Sequence, residues 1–412
     1  MQSEGKRKSA RITMILAMSL LFCQPLFAQR PLPLRLQTSE DNREPISFMR
    51  PHYVIHADPE SNLAGPPSSA YNPSQLRHAY GFDQVTNQGS GQVIGIVDAY
   101  DDPSIESDLG VFNRQFGLPV CSSSNGCFRK VYANGRKPAT NANWGIEIAL
   151  DVEWAHAIAP QAKIVLVESA TNSLADLLTA VDVAVRNGAS VVSMSWTAGE
   201  FSGELRLDNH FVTTGVTFLA ASGDTGTGVA YPAASPYVVG VGGTTLHLDG
   251  NGNYQSETAW SGSGGGLSVY EHQPLFQAQF GIGANPRGVR GAPDVSYNAN
   301  PGTGYAVYDS FGFSGASGWF QVGGTSAGTP QWAALVAIVN SMRVATRKGH
   351  LSSTNNSLYV LAKKNLSTEF NSVTQGTNGS CGVWCTAAPG YDYVTGLGSP
   401  IASALISALA AQ

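Results

Sequence analysis

An α/β fold, a doubly wound and mainly parallel sheet flanked by helices, is predicted by three features of the 412-residue chain. Several apolar runs of four or five residues, rich in Val and Ile, have the length and composition of strands buried on both faces. Amphipathic stretches lie between them, and strand, helix, strand in succession implies right-handed crossovers in one sheet. Apolar residue types make up 42% of the chain and charged types 13%, enough for a large core and a surface built mostly of Gly, Ser, Thr and Asn. This composition excludes a coiled coil and an acidic disordered tail. It also excludes a nucleic-acid binder, because no basic stretch beyond the first dozen positions could neutralise phosphates.

In chain order, residues 1–28 read as an export signal. Lys6, Arg7, Lys8 and Arg11 precede an apolar run from Ile12 to Cys23, and Ala28 ends a plausible cleavage site. The run is too short to span a bilayer. An uncleaved membrane anchor is the competing reading, since Leu26 stands where the cleavage site prefers a small residue. Removal of the signal leaves 20 positive and 28 negative charges, and no later run approaches ~18 apolar residues, so a secreted chain free of the membrane is expected. Residues 29–70 hold Pro31, Pro33, Pro45, Pro51, Pro59, Pro66 and Pro67 without periodicity, which marks a short leader or pro-segment.

From about Tyr71 to the end, one domain is the simplest partition. Strands are predicted at Val93 to Val97, Ile164 to Val167, Val191 to Met194, Thr217 to Ala221 and Val238 to Val241, and helices near 146–158, 173–187 and 203–214. Asp249-Gly250-Asn251-Gly252 signals a hairpin, and two further helical runs cover Ala327 to Arg343 and Pro400 to Ala411. Four cysteines outside the signal form two close pairs, Cys121 with Cys127 and Cys381 with Cys385. In an exported chain they are expected as two small disulfide loops; a zinc site is the alternative.

Three segments could carry chemistry. In Trp144-Gly-Ile-Glu147-Ile-Ala-Leu-Asp151, the two carboxylates are four residues apart and share one face of a helix that is apolar nearly all round. Like charges on a buried helix are costly unless protonated or partnered, which functional sites tolerate. Glu153 and His156 lie round from that face and are expected as surface or capping groups. Asp224 follows the apolar strand ending at Ala221, where it faces the crevice of an open sheet or forms an Asx turn. Ser326, in Gly323-Gly-Thr-Ser326-Ala-Gly-Thr-Pro330, begins a helix whose free N–H groups could hold an oxyanion, although a helix cap would read the same way.

Together these segments resemble the sedolisins, serine-carboxyl peptidases on a subtilisin-like fold. The Glu-x-x-x-Asp pair matches Glu147 and Asp151, Ser-Gly-Asp matches Ser222 to Asp224, and Gly-Thr-Ser-x-x-x-Pro matches Gly324 to Pro330, in the family's order. Similarity also runs through the segments starting at Tyr71, Tyr231 and Tyr391, so it spans residues 71–412. The resemblance implies an acid-acting endopeptidase with Ser326 as nucleophile, Glu147 as general base, Asp151 orienting Glu147, and protonated Asp224 donating to the oxyanion. It implies supporting places for Asp98 and Trp196, and a cleft beside Ser193 to Trp196 and Ser261 to Leu267 where an extended peptide adds as a strand.

Two departures stand out. The family's pro-domain is long, whereas about 42 residues separate signal and catalytic domain here. Its calcium loop begins with Asp where this chain has Ser372, leaving Val373, Gly390 and Asp392 as weak calcium candidates. No cofactor is required for the chemistry, and the expected partners are protein or peptide substrates, with the enzyme acting as a monomer. The alternatives are a conventional subtilase using His156 or His210 as base, and an inactive binding homologue on the same fold.

Overall fold

The computed structural model describes residues 48–56 and 65–412; the predicted signal lies outside them. Residues 48–56, within the segment expected as a leader, supply two short strands, β1 (Arg50–Pro51) and β2 (Val54–Ile55), where the sequence has no periodicity. Helix α1 (Pro73–Ala79) opens with a reciprocal cap: Asn72 Oδ1 accepts from Gln75 N, and Gln75 Oε1 accepts from Asn72 N. Strands and helices then alternate as β3 (Val93–Ala99), α2 (Ile105–Phe116), β4 (Phe128–Tyr132), α3 (Ala142–Ile158), β5 (Lys163–Ser169), α4 (Leu174–Arg186) and β6 (Val191–Met194). Next come β7 (Trp196–Gly199), β8 (Thr217–Ala221), β9 (Ala230–Tyr231), β10 (Val238–Leu248), β11 (Tyr254–Ala259) and β12 (Gly266–His272). The chain closes with α5 (Leu275–Phe280), β13 (Val289–Ala292), β14 (Val295–Asn298), β15 (Tyr305–Phe313), β16 (Ala316–Gly323), α6 (Thr325–Ala345), α7 (Thr354–Glu369), β17 (Phe370–Asn371), β18 (Ser399–Pro400) and α8 (Ala402–Ala411).

The main sheet runs β11-β10-β8-β6-β3-β5-β4, with β14 paired to the middle of β10. Its neighbours from β4 to β10 are parallel, and β11 returns antiparallel after the Asp249–Gly252 turn. From β3 the chain winds first to β4 and β5, then crosses to β6, β8 and β10, so the sheet is doubly wound as expected. Both faces are covered. In β5, Ile164 and Leu166 join one hydrophobic cluster while Val165 and Val167 join the other. Each such side chain removed from water contributes about 1.5–3 kcal/mol. The carboxyl ends of β3, β6 and β8 open toward one side, and there the chain places Asp98, Ser195 and Asp224.

Helix α3 departs from expectation. Every residue from Trp144 to Ile158 is buried, because the helix is enclosed by α2, α6, β3 and β15. Glu153 and His156 are therefore interior groups: Glu153 Oε2 accepts from Tyr308 N at 3.1 Å, and His156 Nε2 sits 2.9 Å from Pro119 O. The helix expected near 203–214 is replaced by two 3₁₀ turns, Glu204–Arg206 and Asp208–Phe211. Glu204 folds back to accept from Phe201 N, and Thr213, Thr214 and Gly215, poor helix formers, end the segment. Helices α2 and α7 were not anticipated.

Candidate active site

Ser326 is the second residue of α6, and the chain reaches it through Gly324 at φ 110°, a conformation that favours glycine. A Cβ at position 324 would lie 2.4 Å from the His52 carbonyl oxygen and 2.5 Å from Asp224 Oδ2, so the glycine is required by space as well as by backbone. The Ser326 hydroxyl donates to Ser195 O at 3.2 Å, and its backbone N–H donates to His52 O at 3.1 Å. Asp224 is fixed by one oxygen: Oδ1 accepts from Thr325 N at 2.9 Å and Thr325 Oγ1 at 2.8 Å. Its other oxygen is buried and has no partner among the described residues.

Helix α3 brings Glu147 and Asp151 to the same place, packed against α6. Ser195 Oγ donates to Asp151 Oδ1 at 2.9 Å, while both Glu147 oxygens and both Asp98 oxygens are buried with no hydrogen-bond partner among the described residues. Glu147 is pushed well above the usual carboxylate range, first by burial and then by the charges of Asp151 and Asp98, with the Ser326 hydroxyl opposing. Asp151 is raised by burial and by Asp98. Burial raises Asp98 to about 8 and Asp224 to about 6, the two Thr325 donors holding Asp224 down. Among the described residues, no Lys, Arg or His forms an ion pair with any of the four. Such a cluster is at ease only when it holds protons.

The remaining predicted residues sort clearly. Trp196 is wholly buried in the core, its indole donating to Val97 O at 2.8 Å, while its backbone forms part of the cleft strand β7. His210 pairs with Asp182, and His156 lies against Pro119 and the Cys121–Cys127 disulfide, so neither imidazole shares a hydrogen bond with Ser326. Cys381–Cys385 is also bonded. Its loop props the cleft wall, with Thr227 N donating to Asn378 O and Asn378 Nδ2 to Ser263 O. Two of the calcium candidates have partners of their own. Val373 is buried in a small apolar cluster. Asp392 accepts from Val394 N, Thr395 N, Thr395 Oγ1 and Ala388 N.

Sequence reasoning missed Ser195, Thr325 and the strand pairing of residues 48–56. Phe48 to His56 runs through the site as an extended strand. β1 pairs antiparallel with β7, His52 N donates to Ser195 O at 3.3 Å, and β2 pairs antiparallel with β16.

These carboxyl groups have a consequence for stability. Asp98 is raised to about 8 and Asp224 to about 6, in both cases chiefly by burial, so the folded chain keeps protons that the unfolded chain releases near pH ~4. Stability is then greatest in acid and falls as pH rises from about 4 to about 8. Urea midpoints at pH 4, 6 and 8 should decrease in that order; an increase would contradict the protonated cluster.

The sequence profile of the Subtilase family matches residues 139–412. Kumamolisin from Bacillus sp. (strain MN-32) is 34% identical over 401 residues, covering 87% of this chain and 68% of that protein. Sedolisin from Pseudomonas sp. (strain 101) is 26% identical over 373 residues, covering 82% of this chain and 61% of its own length. Among solved structures, Pseudomonas sedolisin, described as a serine-carboxyl proteinase complexed with two molecules of pseudo-iodotyrostatin, matches with a TM-score of 0.70 at 26% identity. That match covers 82% of this chain and 97% of the other.

Proposed function

The chain is a sedolisin-like member of the subtilase family of serine peptidases, and from that premise we propose that it is an exported endopeptidase acting on protein or peptide chains in acid. Ser326 is the nucleophile, Glu147 its base, Asp151 the group that orients Glu147, and Asp224 a donor to the oxyanion. The observation that carries this reading is that the Ser326 N–H donates to a peptide carbonyl, that of His52, while the unpartnered Asp224 Oδ2 and that carbonyl oxygen both flank Gly324 beside buried carboxyl groups, and that among the described residues no imidazole is hydrogen-bonded to the Ser326 hydroxyl. Export rests on the pattern of residues 1–28 and is consistent with the two disulfides.

For attack, in the fraction of molecules in which the coupled carboxyl set leaves Glu147 ionised, the Ser326 hydroxyl turns from Ser195 O to Glu147, which takes its proton as the oxygen bonds to the substrate carbonyl carbon. The negative charge that develops on the carbonyl oxygen is met by the Ser326 N–H and by Asp224, which donates only while protonated. Glu147 returns the proton to the leaving amine. Water then repeats the sequence on the acyl-enzyme and releases the acid. Above Asp224's value of about 6 the donor becomes an anion facing an oxyanion, so activity belongs to acid.

The direct test is digestion of an unfolded protein by the purified chain near pH ~4, within the range where carboxyl groups titrate. Digestion there and its loss at neutral pH are expected; activity confined to neutral pH would contradict the proposal. In the same assay Asp224→Ala should slow cleavage by on the order of 10²- to 10³-fold, the effect of deleting one oxyanion donor. Asp224→Asn should lose less, because its amide still donates.

A further inference from the structure

Helix α3 ends in a buried polar group that the peptidase reaction does not use. His156 is wholly buried, and its Nε2 lies 2.9 Å from Pro119 O. A carbonyl oxygen only accepts, so in the neutral ring Nε2 carries the proton and Nδ1 is left with a bare lone pair. Nδ1 has no hydrogen-bond partner among the described residues, and an unmet buried acceptor destabilises the fold that holds it. Beside the ring are the sulfurs of Cys121 and Cys127. These two atoms and a nitrogen of His156 all lie within 4.8 Å of one another. The Cys381–Cys385 pair has no such imidazole among the described residues.

Bonded to each other, the two sulfurs hold no metal. Reduced, they become two soft thiolates next to a bare imidazole nitrogen, the type of ligand set that zinc takes. Neighbouring donors in a tetrahedral zinc site stand about 3.5 to 3.8 Å apart, so these three converge with shifts of about 1 Å. The Nε2 bond to a backbone carbonyl is the kind of outer contact that fixes the tautomer and tilt of a ligating ring.

The frame around the sulfurs does not depend on the bond between them. Asn125 Oδ1 accepts from Ser122 N at 3.2 Å and from Cys127 N at 3.0 Å, while Asn125 Nδ2 donates to Val120 O at 2.8 Å. Glu106 Oε1, on α2, accepts from Ser123 N and Ser123 Oγ, both at 2.7 Å. Ile164 N donates to Cys127 O at 2.7 Å and Phe128 N to Ser122 O at 3.2 Å. These contacts keep both cysteines beside α3 when the disulfide opens. We propose that in the reduced chain Cys121, Cys127 and His156 Nδ1 bind one thiophilic divalent cation, zinc or its like, which then ties the 119–127 loop to α3 as the disulfide otherwise does. Cys127 is only half-buried, which gives a water access to the fourth position.

The exchange balances with a dithiol as reductant. The dithiol closes to its own disulfide and gives two electrons and two protons to Cys121 and Cys127. Zinc then displaces the two protons, so its binding belongs to neutral pH and is lost in acid. A disulfide oxidant reverses the change. The two thiolates give up two electrons and form their bond, the oxidant becomes two thiolates, and zinc leaves as the divalent ion. The metal-bound form thus suits neutral, reducing surroundings and the disulfide suits oxidising ones.

The test reduces the purified full chain with a phosphine at neutral pH and titrates it with cobalt(II). One tight equivalent should appear, with a thiolate-to-cobalt charge-transfer band and the strong visible absorption of tetrahedral geometry, and zinc should displace it. The oxidised chain should show neither band. Cys121→Ser together with Cys127→Ser should abolish binding, whereas Cys381→Ser together with Cys385→Ser should leave it unchanged. His156→Gln keeps an amide N–H for Pro119 O but offers no imidazole. It should weaken zinc binding by about a hundredfold or more, since changes one contact further out already cost 10- to 100-fold. Oxidised glutathione should release one zinc for every two thiols lost. If reduction alone unfolds the chain, zinc should restore its circular dichroism. A reduced chain that binds no cobalt, binds it equally without Cys121 and Cys127, is indifferent to His156→Gln, or stays unfolded with zinc overturns the inference.

Discussion

Ser326→Ala is expected to lower kcat on the order of 10⁴- to 10⁶-fold, because without the hydroxyl no acyl-enzyme forms and only the oxyanion donors and binding remain to assist water. The fold should survive the change. Ser326 sits in the first turn of α6, alanine is a good helix former, and the one side-chain bond lost is that to Ser195 O. The backbone N–H at 326 is retained, so a peptide should bind the variant nearly as well as it binds the parent. Retention of substantial peptidase activity at unchanged fold would remove Ser326 from the role assigned to it.

Glu147→Gln should cost on the order of 10²- to 10⁴-fold, the span of general acid–base contributions. The carboxamide has the same size and keeps hydrogen-bonding groups in a fully buried place, but it cannot take the Ser326 proton. It also removes one of the carboxyl groups that crowd this interior, so stability at neutral pH should rise while activity falls. A variant both slower and less stable would point to Glu147 as a structural group; slower and more stable is the signature of a residue kept for chemistry at the expense of the fold.

The parallel sheet and the carboxylate pair were legible in the sequence because their signals are local. Runs such as Val191–Met194 and Thr217–Ala221 are strands on composition alone, and a spacing of four on an all-apolar helix fixes Glu147 and Asp151 to one face. Glu153 and His156 were misjudged for the reason that the pair was found: a helix apolar all round has no wet side, so its other polar groups are interior too. The leader was opaque because nothing local sets its conformation. Its two-residue strands exist only through pairing with β7 and β16, more than a hundred residues away in sequence. Ser195 and Thr325 escaped notice because their roles, holding Asp151 and Asp224 in place, are visible only once four separate segments meet.

The central claim, that carboxyl groups do the work an imidazole does elsewhere, meets its most direct test in one pH profile. Cleavage of a peptide is measured from pH 2 to 9 for the wild type, His156→Ala and Glu147→Gln. The mechanism predicts a bell in acid, roughly between pH 3 and 5, whose falling limb reports the coupled carboxyl set. It predicts the same bell shape and position for His156→Ala, and severe loss across the range for Glu147→Gln. Activity that rises through about pH 6 to 7, as an imidazole base requires, or a Glu147→Gln variant that cleaves as well as the parent, would contradict it.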